Sequence, residues 1–277
     1  MDATNRKFAD ELRNIPFKNY EEYMDYIFAC VNIRLTDYIE GLMEKYAAGQ
    51  GKYKNVMYPD IEIAYSLCND NMYKFFNGSD GGDGSEHSEE EAQEENESNL
   101  EGLDQELFDL LGAFNEFTRQ NGDGDDEKDV QGERFTTDDM LSFIDSRIAV
   151  SDAENYPFYQ LCKKLGFSHF TIFALAAALL SSTQTSYASV YQIVNENGSY
   201  TAPTIESAAR LYFGETFSIT AASGHMSESL ESLLPVMDLR VSSNMPFSTV
   251  LAPDKRIIDY FFGANPLRLD ENYQRFY

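Results

Sequence analysis

The stretch Gly49-Gln-Gly-Lys-Tyr-Lys-Asn55 brings glycines and a lysine together, the raw materials of a phosphate cradle. A P-loop needs GxxxxGK followed by Ser or Thr, so that backbone amides wrap the phosphates and a hydroxyl reaches Mg²⁺. Here Tyr53 follows Lys52 and the first glycine is too close. The stretch reads as a turn. Calcium chemistry is suggested by Asp123, Asp125, Glu127 and Asp129, but an EF-hand loop needs Gly at its sixth place and Glu at its twelfth. Those places hold Lys128 and Arg134. The GGDG at residues 81–84 occurs once, whereas calcium-binding β-rolls repeat it. Both acidic runs read as solvated loops.

Histidine and nucleophile patterns give no catalytic set. His87, His169 and His225 lie far apart and outside any zinc-ligand spacing. Ser223-Gly-His-Met-Ser227 lacks the GxSxG of a nucleophile elbow. Cys162 stands beside Lys163 and Lys164, which would lower a thiol pKa. Its neighbours Leu161 and Leu165 instead favour a structural cysteine. The expectation is a chain that is not an enzyme, with no catalytic, cofactor-binding or metal residue.

The elements that would position any site divide the chain into three. Asn19 and Glu22 have capping-box spacing, and Met24, Phe28, Val31, Leu35, Ile39, Leu42 and Tyr46 follow at helical steps. A second helix is expected from Pro59-Asp60 through Ile63, Leu67 and Tyr73. Together they predict a helical hairpin domain over 1–76. Residues 77–135 read as an acidic, largely disordered linker, interrupted by one amphipathic helix at about 103–118 built on Leu103, Leu107, Leu110, Leu111, Phe114 and Phe117. Residues 136–277 read as a winged-helix-like domain. Thr137 caps its first helix, further helices lie at 157–165, 168–181, 187–195 and 203–213, and Pro203 sits near N1 of the last. Extended stretches at 235–241 and 248–251 form a small β-hairpin, followed by a helix at 254–262. The fold class is mainly α.

Charge narrows the function classes. The 277 residues carry 47 acids and 21 bases, a net −26. Residues 77–134 hold 20 of the acids and only 3 of the bases. Such a balance opposes phosphate-backbone binding, whose affinity comes from Lys and Arg displacing counterions. The longest apolar run, Ile172 to Leu180, is far shorter than the ~20 residues of a membrane span. No secretory signal opens the sequence, and Cys30, Cys68 and Cys162 are few and widely spaced. These features predict a cytoplasmic protein with reduced thiols and no nucleic-acid or membrane partner. Tyr187, Tyr191, Arg210, Tyr212, Arg256 and Tyr260 are the candidate interface residues, since aromatics and arginine make strong contact anchors.

One family resemblance accompanies this reading. It rests on Phe173, Leu175, Leu179 and Leu180, on Tyr187 and Tyr191, on Pro203-Thr204, and on Leu251, Arg256-Ile257-Ile258, Tyr260-Phe261-Phe262 and Gly263. In that order they resemble the variant winged helix ahead of the motor in a group of bacterial AAA+ ATPases, including members tied to phage-tail-like contractile injection systems. Ser181-Ser182 departs from the Leu-Asp usual there, and Asn195-Glu196-Asn197 replaces the usual acidic pair. The resemblance implies a non-catalytic recognition or docking region that presents a substrate or partner to an ATP-hydrolysing module. The sequence contains no Walker motif, so it implies either the N-terminal part of a longer ATPase or a stand-alone adaptor without the motor. A winged-helix DNA-binding regulator is the alternative from another class. The partner is expected to be a protein, or the chain's own downstream ATPase module.

Overall fold

The computed structural model describes residues 13–47, 58–76, 136–240 and 244–262. These contain nine α-helices: α1 (Tyr20–Ala47), α2 (Tyr58–Phe76), α3 (Thr137–Val150), α4 (Pro157–Leu165), α5 (His169–Thr183), α6 (Tyr187–Val194), α7 (Ile205–Phe213), α8 (Ile219–Leu233) and α9 (Lys255–Phe262). The mainly α class is therefore observed.

Helix α1 starts where Asn19 Oδ1 accepts the Glu22 N–H at 2.8 Å, satisfying one of the amides that a helix start leaves open. Its expected stripe is buried from Met24 to Leu42. The opposite flank is buried too, through Tyr23, Tyr26, Ile27, Cys30, Ile33 and Thr36. A helix covered on nearly all sides lies at the centre of a bundle. It packs on α2, α3, α5, α6 and α7. Burying a side chain such as Leu35 or Ile39 contributes roughly 1.5–3 kcal/mol, and both are fully inaccessible.

That packing changes the expected organisation. The described parts of the hairpin expected over 1–76 and of the domain expected over 136–277 share one hydrophobic core, which runs from Phe17 to Phe261. Asn32 shows the join at atomic scale: its Nδ2 donates to the Cys68 carbonyl at 2.6 Å, and its Oδ1 accepts from the Tyr187 hydroxyl at 2.6 Å. Arg147 makes a second join. Its guanidinium is almost fully buried over the Phe17 ring, 4.1 Å from the centroid, and over the Tyr26 ring, at 4.7 Å. Its Nε donates to the Ile15 carbonyl and its Nη2 to Glu22. The linker expected at 77–135, with its helix at about 103–118, lies outside the described residues.

Local boundaries differ from expectation for identifiable reasons. The buried face of α2 is Ile61, Ala64 and Cys68, while Ile63 is exposed. Thr136, one residue earlier than expected, caps α3 in a capping box with Asp139. Thr204 caps α7 in the same way with Ser207, which leaves Pro203 outside the helix. The expected β-hairpin is absent as a ladder: the described residues contain two isolated bridges, Thr204–Val250 and Met237–Pro253. Helix α8 is the largest departure, since no element was expected there.

Candidate functional site

The site is built on α8 and on the extended arms between the neighbouring helices. Ser218 caps α8 by accepting the Ala221 N–H. Ala222, Met226, Ser229, Leu230 and Leu233 then follow at helical spacing and are buried, where α8 packs on α5 and α7. A buried polar contact fixes its rotation, with the Thr171 and Ser229 hydroxyls 2.8 Å apart. The opposite face is exposed: Ile219, Ala221, Gly224, His225, Glu228 and Glu231, with Leu234 just beyond. From Ile219 to Leu239 there is no Lys or Arg.

Three extended arms pair with one another: 203–205 ahead of α7, 236–238 after α8 and 249–254 ahead of α9. Residues 249–254 lie between the other two. On one side Leu251 N–H donates to the Pro203 carbonyl at 2.8 Å and Ile205 N–H to Thr249 at 3.0 Å. On the other, Asp238 N–H donates to Ala252 at 2.9 Å and Asp254 N–H to Val236 at 3.1 Å. Past Asp238 the arms part around a cavity of about 540 Å³, lined by Tyr200, Asp238, Arg240, Met245 and residues of the 248–252 arm.

The expected interface residues fall into two groups. Tyr187 and Tyr191 are fully buried and Tyr212 nearly so. Each of their hydroxyls is used internally, by Asn32, the Ala177 carbonyl and Asp138 respectively. These three are core residues, because helical spacing turned them toward α1 and α5. Arg210, Arg256 and Tyr260 lie at or near the surface. The Arg210 guanidinium is engaged by Tyr38, by Glu206 at 3.0 Å and by Glu196 at 3.4 Å. Arg256 grips Asp254 with two bonds, at 2.6 and 3.0 Å, and that pairing holds the Asp254 carboxyl below its ordinary range. Both arginines are thus committed within the chain.

One cluster of titratable groups escaped sequence reasoning. His169, the first residue of α5, has Nδ1 2.9 Å from Asp138 and Nε2 2.9 Å from Asp145, both on α3. A neutral imidazole can donate through one nitrogen only, so two carboxylates favour the imidazolium. The His169 pKa is raised, with the Asp145 hydrogen bond as the main cause, against an opposing desolvation and with Asp138 assisting. The Tyr212 hydroxyl donates to the same Asp138 oxygen as His169. The 31-residue separation of His169 from Asp138 left no motif to read.

The cysteines are the reverse of activated. Burial pushes the Cys30 and Cys68 thiols up to about 12, and Cys162 moves in the same direction for the same reason. The flanking lysines do not lower the Cys162 thiol as their position suggested. No group of three His, Cys, Asp or Glu among the described residues could hold a metal ion. Nor is any described helix long and apolar enough to cross a membrane. His87, the 49–55 glycine stretch and the acidic runs at 81–84 and 121–132 lie outside the described residues. Set against known proteins, the chain matches no family, no curated protein and no solved structure.

Proposed function

We propose that this chain is a non-catalytic protein-docking region of winged-helix order, serving as the N-terminal recognition part of an AAA+ ATPase. The order of parts supports the fold half of that reading. Helix α6, the 203–205 arm, α7, α8, and then the 236–238 and 249–254 arms follow one another as helix, strand, two helices and two strands do in a winged helix. The arms are too short to form a ladder, but their pairing places the last between the other two. The positions that carry the resemblance do structural work here: Pro203 and Leu251 bond to one another, Thr204 caps α7, and Ile257 and Phe261 are buried.

The observation that carries the docking half is the outward face of α8. In this order α8, not α7, is the helix that would enter a DNA groove, where Arg, Lys, Asn or Gln must reach base edges. It presents Glu228, Glu231 and the apolar Ile219 and Leu234 instead. An acidic and apolar face repels phosphate and suits a protein partner, whether a substrate, an adaptor or the downstream ATPase module. The DNA-binding regulator remains the second reading because the order of parts is equally that of a DNA reader. Anisotropy titration with random duplex DNA at about 50 mM salt, where electrostatic attraction is strongest, separates the two. No saturation at micromolar protein is expected, and sub-micromolar binding would overturn the docking reading. A Walker A motif in the reading frame after Tyr277 would support the ATPase context, and the lack of one would favour a stand-alone adaptor.

A further inference from the structure

The turn between α6 and α7 holds a reactive pair. Among the described residues, Asn197 is the only asparagine followed by glycine. A glycine nitrogen can reach the Cγ of the asparagine before it, because glycine has no Cβ to crowd the approach and turns freely about its backbone bonds. The turn is closely specified. Glu196 N–H donates to the Ile193 carbonyl at 2.9 Å, Asn197 N–H to Gln192 at 3.1 Å and Tyr200 N–H to Asn197 at 3.0 Å. Asn197 Oδ1 accepts the Ser199 N–H at 3.0 Å, a turn-forming bond that asparagine favours. That bond folds the carboxamide back along the 197–199 backbone, toward the Gly198 nitrogen. Neither the Gly198 N–H nor the Asn197 carboxamide nitrogen is bonded among the described residues. Gly198 and Ser199 are exposed, so water reaches this peptide.

We propose that Asn197-Gly198 is a self-modification site, at which the chain converts its own asparagine to aspartate and isoaspartate. The Gly198 nitrogen bonds to Asn197 Cγ, the Cγ–Nδ2 bond breaks, and ammonia departs with the proton from Gly198. Water then opens the cyclic imide at either of its carbonyls. The two products differ in what they leave of the turn. Aspartate keeps a side-chain oxygen that accepts the Ser199 N–H. Isoaspartate routes the main chain through the former side chain and lengthens it by a methylene, so the bonds from Ser199 and Tyr200 no longer close. Both products place a new carboxylate next to Glu196, which pairs with Arg210 at 3.4 Å while Arg210 also holds Glu206 at 3.0 Å. Three carboxylates then compete for one guanidinium. The change acts on the joint between α6 and α7, beside the one described non-glycine residue with a left-handed backbone. The fold itself does not require glycine at 198, since its φ is not positive and a Cβ there would meet open space. The proposal rests on this turn and is independent of what α8 binds.

Ageing the full chain in its folded state, followed by peptide mapping with mass spectrometry, tests it. The peptide holding Asn197 should exchange its carboxamide for a carboxylate, in aspartate and isoaspartate forms that separate on chromatography. Conversion should be faster at pH 9 than at pH 6, because the attacking nitrogen must lose its proton. Asn77-Gly78 and Asn121-Gly122 in the same chain give the comparison for the dipeptide in other surroundings. Gly198→Ala should slow conversion roughly tenfold, equivalent to about 1.4 kcal/mol on the barrier, and leave Tm unchanged because the added methyl meets nothing. Where Gly198→Ala shifts Tm, Asn197→Gln is read in its place, with no conversion expected, since its longer side chain must close a larger ring. Asn197→Asp should melt with the unaltered chain, and the isolated isoaspartate form should melt lower. An Asn197 that stays intact overturns the proposal, whether or not Asn77 and Asn121 convert. So does conversion that Gly198→Ala leaves at its original rate, and an isoaspartate form as stable as the unaltered chain overturns the effect on the turn.

Discussion

Replacing Tyr187 by Phe tests whether the two ends of the sequence form one folded unit. The Tyr187 hydroxyl donates to Asn32 Oδ1 at 2.6 Å, at a point where both residues are fully buried. The substitution keeps the ring and its packing. It leaves the Asn32 oxygen with no donor and no access to water, which costs about 1–3 kcal/mol. Taking about 2 kcal/mol, and a melting shift of roughly 2–4 °C per kcal/mol for a body of 150–250 residues, Tm should fall by about 4–8 °C. Asn32→Ala should cost more, because it removes two buried bonds at once, to the Tyr187 hydroxyl and to the Cys68 carbonyl. The double variant should be less destabilised than the sum of the two, by about 1 kcal/mol or more, since the residues share a bond. Thermal and urea melts of the four proteins measure all three quantities. A single transition should persist throughout. Two separate transitions, with Tyr187→Phe shifting only the one belonging to residues 136–262, would refute the shared core. Additive effects would refute the bond.

Further outcomes follow from the same structure. The imidazolium of His169 is stabilised in the fold, so its contribution is complete below the unfolded pKa of about 6.5 and is lost as pH rises through the higher folded value. His169→Gln should therefore cost about 1 kcal/mol at pH 5.5, discounted for partial exposure, and clearly less at pH 9; urea melts at both pH values check the sign. Glu196 has φ 52°, the left-handed conformation that favours glycine. Glu196→Gly should raise stability by about 0.5–1 kcal/mol, since the Arg210 contact that it loses is a surface pair worth little; an unchanged or lowered Tm would contradict this. Cys30, Cys68 and Cys162 should resist a thiol reagent in the native protein at pH 8 and react together on unfolding; rapid native labelling of any one would contradict its burial.

How much of this was legible in the sequence differs by element, and the differences have physical causes. Helix α1 was readable because Asn19 and its apolar spacing act within one helix. Cap chemistry also fixed α5, where Ser168 accepts the Thr171 N–H, and α4 ends at Gly166, whose φ of 63° suits glycine. Helix α8 was missed because ITAASGHMSESLESL is rich in Ser, Thr and Gly, which are weak or poor helix formers. Its signal was present as Ser218 followed by Ala222, Met226, Leu230 and Leu233. The packing of 20–76 against 137–262 had no local signature, since the Asn32–Tyr187 bond spans 155 positions. The charge break over 77–134 looked like a domain boundary for the same reason: composition reports what a segment can bury, not what its flanks pack against.

The candidate interface residues show the same limit from the functional side. Aromatic residues at helical spacing are evidence of an inward face before they are evidence of a contact surface. Tyr187, Tyr191 and Tyr212 followed that rule into the core. A docking surface must instead be sought where the helical period leaves residues outside. On α8 those are small residues, His225 and two glutamates, ended by Ile219 and Leu234, a pattern that sequence inspection passes over as loop. Glu228 and Glu231 fall in the second half of α8, where carboxylates oppose the helix dipole and cations would be favoured. Their placement gives no local stability, which is what a face kept for a partner would show. Charge reversal at Glu228 and Glu231 should therefore leave Tm unchanged or slightly raised while weakening any partner that α8 holds. A marked fall in Tm would instead assign the two carboxylates to the fold.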